Sequence, residues 1–211
     1  MSLTKHNNNS ISNITSFAQI PAGKPVLLST ATASSSSSIE FTSGIDSTYD
    51  IYQFEFVNIA SNTNAVQFQI NFSTDSGSNY NVTKTTTQLD AAHNESDTFT
   101  VLRYRDSNDL AQSTSDQIIT PILPANSGEE DSCANGTVNL FAPSSSVFVK
   151  HFLIESTSTG DGGSLYAWQM NTAGYCNTTS AINAVRFKMD SGNIDAGTIK
   201  MYGISAWVWL S

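Results

Sequence analysis

Side chains that could carry catalysis are few and scattered along the chain. Of the three histidines, His6 lies in a polar N-terminal stretch, His93 in a polar segment, and His151 inside a strand-like run. The nucleophilic serine of many hydrolases stands in a GxSxG turn, and no serine here is surrounded by that motif. We therefore predict no catalytic residues and a non-enzymatic protein.

Carboxylates do not form a recognisable hydrolase or metal signature. Two acids of a glycosidase must lie about 5–10 Å apart in a cleft, and nothing in the sequence brings two together. The acids considered are Asp46, Asp50, Asp75 and Glu155. Glu129, Glu130 and Asp131 with Asp161 are either calcium ligands in a loop or solvated charges, and we favour solvated charges because no twelve-residue calcium loop is present. We predict neither a metal nor a cofactor.

Exposed aromatic rings beside polar loops would bind a sugar, and four aromatic residues have suitable surroundings. They are Tyr166, Trp168, Trp207 and Trp209. Trp207 and Trp209 fall on one face of a strand, as aromatic residues at a subunit interface do. Glycan contact and packing in a core or interface both remain open, and we favour packing.

Alternating apolar residues predict that β-strands position these side chains. The clearest run has Val66, Phe68, Ile70 and Phe72 on one face and polar residues on the other. Strands are predicted at 26–33, 39–41, 49–59, 65–73, 80–87, 99–105, 117–123, 136–142, 147–155, 164–170, 181–189 and 197–204. Residues 206–210 either extend the last strand or form an aromatic tail.

The segments between these strands predict how they are connected. Residues 181–204 resemble a long β-hairpin around the turn 190–193, and residues 49–87 a three-strand meander. Residues 88–98, 157–163 and 171–179 are predicted as loops or turns. This pattern, with no long helix, predicts an all-β fold, a jelly-roll-like two-sheet β-sandwich.

The N-terminal residues 1–24 are polar and weakly patterned, with apolar residues at every third position. We expect an extended arm whose pegs, Ile11, Ile14, Phe17 and Ile20, dock on a neighbouring protein, in preference to one short helix, because Asn and Ser are poor helix formers. The domain boundaries predicted are an arm at 1–24 and a sandwich at 25–211.

Charge and hydropathy limit the partners. The chain of 211 residues has 18 Asp and Glu but 9 Lys and Arg, a net charge of −9, which argues against nucleic acid and against an anionic membrane surface. No run is long and apolar enough for a transmembrane helix, and the N-terminal residues are not a secretory signal, so we expect synthesis in a host cytoplasm. Cys133 and Cys176 belong to no CxxC motif and are predicted as free thiols in preference to a disulfide.

Several segments resemble a family of small structural proteins of tailed bacteriophages, especially marine ones. They are residues 2–12, 34–59, 73–81, 109–115 and 174–204, the last being GYCNTTSAINAVRFKMDSGNIDAGTIKMYGI. The family pattern ends near the YGI strand, so residues 205–211 are an addition in this chain.

The resemblance implies a virion protein, either a capsid decoration (cement) protein or a tail-fibre or appendage module. Its partners would be other virion proteins, the major capsid protein or tail proteins, on the particle surface. We expect a homo-oligomer, a trimer being preferred. The alternative is a carbohydrate-binding module for a host-surface glycan, suggested by Tyr166 and Trp168 beside the loop 160–163.

Overall fold

Twelve antiparallel strands and one short 3-10 turn make up the part of the chain that the structure describes. A computed structural model describes residues 24–123, 132–161 and 165–205. The strands are β1 (Val26–Thr32), β2 (Ile39–Phe41), β3 (Ile51–Ser61), β4 (Val66–Ser73), β5 (Lys84–Asn94), β6 (Thr100–Tyr104), β7 (Gln117–Leu123), β8 (Ala134–Phe141), β9 (Lys150–Asp161), β10 (Leu165–Cys176), β11 (Ala184–Met189) and β12 (Ile194–Ile204). The 3-10 turn is Asp106–Asn108.

The strands form two sheets whose order is that of a jelly roll. One sheet has eight strands in the order β1-β12-β3-β8-β9-β10-β5-β6, and the other has four in the order β2-β11-β4-β7. With β5, β6, β9 and β10 set aside, the eight remaining strands have the orders β1-β12-β3-β8 and β2-β11-β4-β7, the double Greek-key order of a jelly roll. The all-β, jelly-roll-like two-sheet prediction is therefore confirmed.

The two strand pairs set aside are insertions that widen one sheet. β5 and β6 are inserted between the fourth and fifth strands of the jelly roll, and β9 and β10 between the sixth and seventh. They lie side by side because β10 pairs with both β9 and β5 over twelve and eleven residues. The eight-stranded sheet therefore extends well beyond the four-stranded sheet that faces it.

The core lies between the sheets and is rich in phenylalanine. The alternation predicted for β4 is confirmed, since all four apolar residues of that strand are buried, and Tyr52, Phe54 and Phe56 of β3 face them. The Phe68 and Phe187 rings stack with their centroids 5.8 Å apart. One sandwich core thus explains the apolar faces of β3, β4 and β11.

The predicted hairpin of residues 181–204 is wrong, and so is the meander of residues 49–87. β11 pairs with β2 and β4 while β12 pairs with β1 and β3, so the turn at 190–193 carries the chain from one sheet to the other. β3, β4 and β5 likewise alternate between sheets. Two strands that follow each other in the sequence and each bury one face in a common core can be neighbours in one sheet or lie in opposite sheets. Here they lie in opposite sheets.

Three predicted loops are also wrong in part, because strands continue through them. β5 runs on to Asn94, β9 to Asp161 and β10 to Cys176. The inward-facing side chains of these extensions include buried polar ones such as Gln88, Asp90 and Thr172. An inward polar face removes the alternation of apolar residues from which a strand is predicted.

Paired bulges let β3 and β12 change face within the sheet. Asn58 has φ +54° and Gly197 has φ +117°, and the pairing register shifts at both residues. A Cβ on Gly197 would lie 2.6 Å from the carbonyl oxygen of Asn58, so glycine is required there. After the bulge Ile59 is buried, although alternation places it on the outer face.

Candidate interaction face

The two faces of the sheet extension have opposite characters, one buried and polar, the other exposed and almost uncharged. Along β5 the even-numbered residues Lys84 to Asn94 are buried and the odd-numbered ones Thr85 to His93 are partly or fully exposed. The registers of β5 with β10 and β6, and of β10 with β9, place the exposed residues of the four strands on one face.

On the inner face, polar side chains join the extension to β7 and the 3-10 turn. The amide nitrogen of Gln88 donates to the Thr172 hydroxyl at 2.7 Å and to the Ile118 carbonyl at 2.9 Å, while Asn108 donates to the amide oxygen of Gln88 at 2.8 Å. Ser156 donates to the Ile119 carbonyl at 2.8 Å. The buried polar groups named here are hydrogen-bonded, as a polar layer between sheets requires.

A buried carboxylate between two arginines closes the inner face near the sheet edge. Arg103 donates from Nε and Nη2 to the two carboxylate oxygens of Asp90 at 3.0 and 3.1 Å. The Nε of Arg105 forms an ion pair with Asp90 at 3.3 Å, and burial lowers the pKa of the Arg105 guanidinium. Both guanidinium groups lie over the Trp168 ring, 5.5 and 5.6 Å from its centroid.

Two of the four predicted aromatic residues, Trp168 and Tyr166, belong to this packed region. Trp168 is 8 % exposed, its Nε1 edge lies against Gly160, and its ring is in contact with Tyr166 at a centroid distance of 5.8 Å. A glycan platform needs an exposed ring face, so the position of Trp168 favours packing. Tyr166 is half-buried against Phe99. Trp207, Trp209 and the pegs Ile11, Ile14, Phe17 and Ile20 lie outside the described residues.

A second buried cluster surrounds a thiol at the other end of β10. Cys176 pairs across the strands with Lys84 on one side and Lys150 on the other. Burial raises the pKa of the Cys176 thiol to about 12 and lowers that of the Lys84 ammonium to about 8. Lys84 Nζ donates to Asn71 Oδ1 at 2.7 Å, and Lys150 donates to three backbone carbonyls. Cys133 and Cys176 are both free.

The outer face, which we call the neutral face, consists of the outward-facing side chains of β9, β10, β5 and β6. They are His151, Leu153, Glu155, Thr157 and Thr159; Ala167, Gln169, Asn171, Ala173 and Tyr175; Thr85, Thr87, Leu89, Ala91 and His93; and Thr100, Leu102 and Tyr104. Glu155 supplies the one carboxylate in this set, which contains no lysine or arginine.

Large apolar side chains of the neutral face are exposed rather than covered. Leu102 is 80 % exposed, Tyr104 54 %, Leu89 48 % and Leu153 46 %. By contrast, the outer face of β3 and β12 pairs Glu55 with Lys200 across the strands, and Tyr202 donates to Glu55 at 3.1 Å. Exposed apolar side chains clustered on an uncharged face are characteristic of a protein contact surface.

Sequence reasoning missed the neutral face, although its signal is present in the chain. The second halves of β5, β9 and β10 were predicted as loops, and a loop does not place alternate residues on one surface. Once residues 84–94 are known to form one strand, the odd positions Thr85, Thr87, Leu89 and Ala91 form a row without charge.

The fold and this surface define a class: an eight-strand jelly roll with a four-strand extension of one sheet. Comparison with protein-family models, with curated proteins and with solved structures finds no match. Within the described residues, no group of three His, Cys, Asp or Glu side chains is placed to hold a metal ion. The helical content described includes no segment that could cross a membrane.

Proposed function

We propose that this chain is a non-enzymatic structural protein of a bacteriophage particle. It is displayed on the particle surface as a capsid decoration protein or as a tail-fibre or appendage module, and other virion proteins are its partners. The resemblance of residues 34–59 and 174–204 to such proteins supports the proposal. So does the jelly-roll fold, which recurs in viral capsid proteins.

The single observation that carries the proposal is the neutral face. A protein that functions by assembling with other proteins needs an exposed surface that a partner can cover. The neutral face is broad, exposed and poor in charge, as the core of such an interface is. The chain's net charge of −9 suits the remaining surface to display in solution at high local concentration.

Purified virions provide the test. We expect the polypeptide to be found in washed particles by mass spectrometry, and gel densitometry against the major capsid protein gives its copy number. About one copy per capsid subunit, or per few subunits, identifies a decoration protein, whereas a few tens per particle identify a tail component. Particles that lack the polypeptide would refute the proposal.

Glycan binding is the weaker candidate, because Trp168, the residue that mainly suggested it, is buried. The indole of Trp168 is 8 % exposed and lies under the guanidinium groups of Arg103 and Arg105, so it is not free to stack on a sugar. A glycan array probed with the full chain tests what remains of this alternative, and binding that is lost in Trp168→Ala would restore it.

A further inference from the structure

The neutral face combines exposed apolar side chains with two shallow hollows. A hollow of about 520 Å³ lies over Ala91 and Ala167 beside Leu102. A second, of about 460 Å³, lies over Ala173 between Leu153 and Tyr175. Each hollow is thus lined by a small residue and by a large apolar one, so the face offers both apolar side chains and room to receive them.

The size of the neutral face is adequate for a stable contact. Four strands about 4.8 Å apart, three with an outward row about 27 Å long and β6 with one about half that length at 3.3 Å per residue, cover about 450 Å² in projection. Accessible area exceeds projected area on a surface with this relief. Covering the face on both partners therefore buries about 1,000 Å² or more, the lower bound for a specific interface.

Charge distinguishes a second copy from other partners. Each copy carries a net charge of −9, so two copies repel each other over most of their surfaces. They repel least where carboxylates are few. Among the outward residues whose side chains the structure describes, Glu155 is the one carboxylate, and Asp97 of the adjacent turn pairs with His93 at 3.0 Å. A basic partner would gain more on any acidic part of the surface, because an uncharged face offers it no electrostatic attraction.

We infer that a second copy of this chain covers the neutral face, so that the protein is a homo-oligomer held together by face-to-face contact of the sheet extensions. The inference deepens the proposed function and rests on it, because it names the partner of the same surface. Leu102, Leu89 and Leu153 enter the hollows of the neighbouring copy and supply the apolar area that is buried.

The test is sedimentation equilibrium of the purified full chain and of three leucine-to-glutamate variants. Leu102→Glu lies on the edge strand β6, and Leu153→Glu on β9, which is paired on both sides. Leu27→Glu is the matched control: Leu27 is 54 % exposed on β1, at the opposite edge of the same sheet. Thermal unfolding of each variant verifies that it folds.

A contact between the same face of two copies is two-fold and closes at the dimer, so we expect the unmodified chain to form dimers at concentrations between about 1 μM and 1 mM. Leu102→Glu and Leu153→Glu should each weaken association at least about tenfold, since an unpaired carboxylate would be buried in the contact. Leu27→Glu should change it less than about twofold.

Three results would overturn the inference. One is a monomer throughout this concentration range. Another is equal weakening by Leu27→Glu. The third is weakening by Leu102→Glu without weakening by Leu153→Glu, which would indicate that β6 pairs edge to edge with another strand.

Failure of the inference can be told apart from failure of the proposed function. A chain that is monomeric but present in virions keeps the structural role and loses the self-contact. A chain that oligomerises through the neutral face but is absent from virions keeps the contact and loses the role.

Discussion

Asp90 shows how much one residue can contribute to this sheet extension. Its carboxylate is 1 % exposed, and it neutralises two arginines that themselves enclose Trp168. Asp90→Ala should lower the free energy of unfolding by about 3–5 kcal/mol, because it leaves two partly buried guanidinium groups without their counter-ion. Urea unfolding measures the change, with Glu95→Ala, an exposed carboxylate in the adjacent turn, as control. A loss below about 1 kcal/mol for Asp90→Ala would mean that water replaces the ion pair.

Lys84 is a buried amine whose titration should make the free energy of unfolding depend on pH. Its pKa is lowered by burial from 10.5 to about 8, so between these pH values the unfolded chain binds more protons than the folded one. Stability contributed by this group therefore rises with pH across the window, since the cost of burying its charge is full below about pH 8 and disappears above about pH 10.5.

The measurement for Lys84 is the difference in unfolding free energy between the unmodified chain and Lys84→Met at pH 7 and pH 10. At about 1.4 kcal/mol per pKa unit, the unmodified chain should gain about 2–3 kcal/mol relative to the variant over this range. The raised pKa of Cys176 has the opposite effect on stability, but both proteins retain that thiol, so its effect largely cancels. A difference that does not vary with pH would show that Lys84 titrates normally.

At the scale of elements, the β5–β6 pair depends on a turn organised by one side chain. The Asn94 amide oxygen accepts from the backbone N–H of Thr98 and Phe99 at 3.0 and 2.9 Å, and its nitrogen donates to the Ser96 and Thr98 hydroxyls. Asn94→Ala should cost about 0.5–1.5 kcal/mol, because two backbone donors of the turn lose their acceptor.

Hydrogen exchange tests whether that loss is local to the edge of the sheet. Amide protection should fall in β6, residues 100–104, while the jelly-roll strands β3 and β12 keep theirs. Thr87→Ala, an outward-facing change on the same strand, should leave the pattern unaltered. Unchanged protection of β6 in Asn94→Ala would show that the strand is held by Arg103 and its neighbours rather than by the turn.

The strands that the sequence predicted well are those with an apolar face on the common core. β2 and β7 have the predicted bounds, and β4 differs from its prediction by one residue. β7 continues through Pro121 to Leu123, although proline usually interrupts a strand and the sequence alone does not decide whether this one ends at Pro121 or at Pro124. The pairing of strands could not be predicted, because apolar alternation says which face is buried and not which neighbour lies beside it.

The second halves of β5, β9 and β10 were missing from the prediction because their buried face is partly polar. Gln88 and Thr172 satisfy each other and the backbone of β7, so their burial depends on residues far away in the sequence. Burial of this kind leaves no local pattern. The candidate site was missed for the same reason, since the outward row through Leu89 and Leu102 becomes a surface only when β5 and β6 are paired.

At the scale of the molecule, the jelly roll and its extension have different roles. The segments with the phage resemblance include β2, β3, β11 and β12, all of the jelly-roll framework. The neutral face lies mainly on strands of the two insertions, outside those segments. The framework thus supplies a stable sandwich, and the insertions supply the surface through which we propose that copies meet.

Ionic strength should reveal what kind of contact that surface makes. Two copies with a net charge of −9 repel each other at long range, and salt reduces this repulsion, since the Debye length falls from about 30 Å at 0.01 M to about 8 Å at 0.15 M. A contact across an uncharged face has no attractive ion pairs for salt to weaken. Association of the unmodified chain should therefore strengthen with salt over this range in sedimentation experiments, and sulfate should strengthen it further by favouring apolar burial. Association that weakens as salt rises would instead place ion pairs at the contact, and the charged outer faces of β3 and β12, with Glu55 and Lys200, would then replace the neutral face as the surface to test.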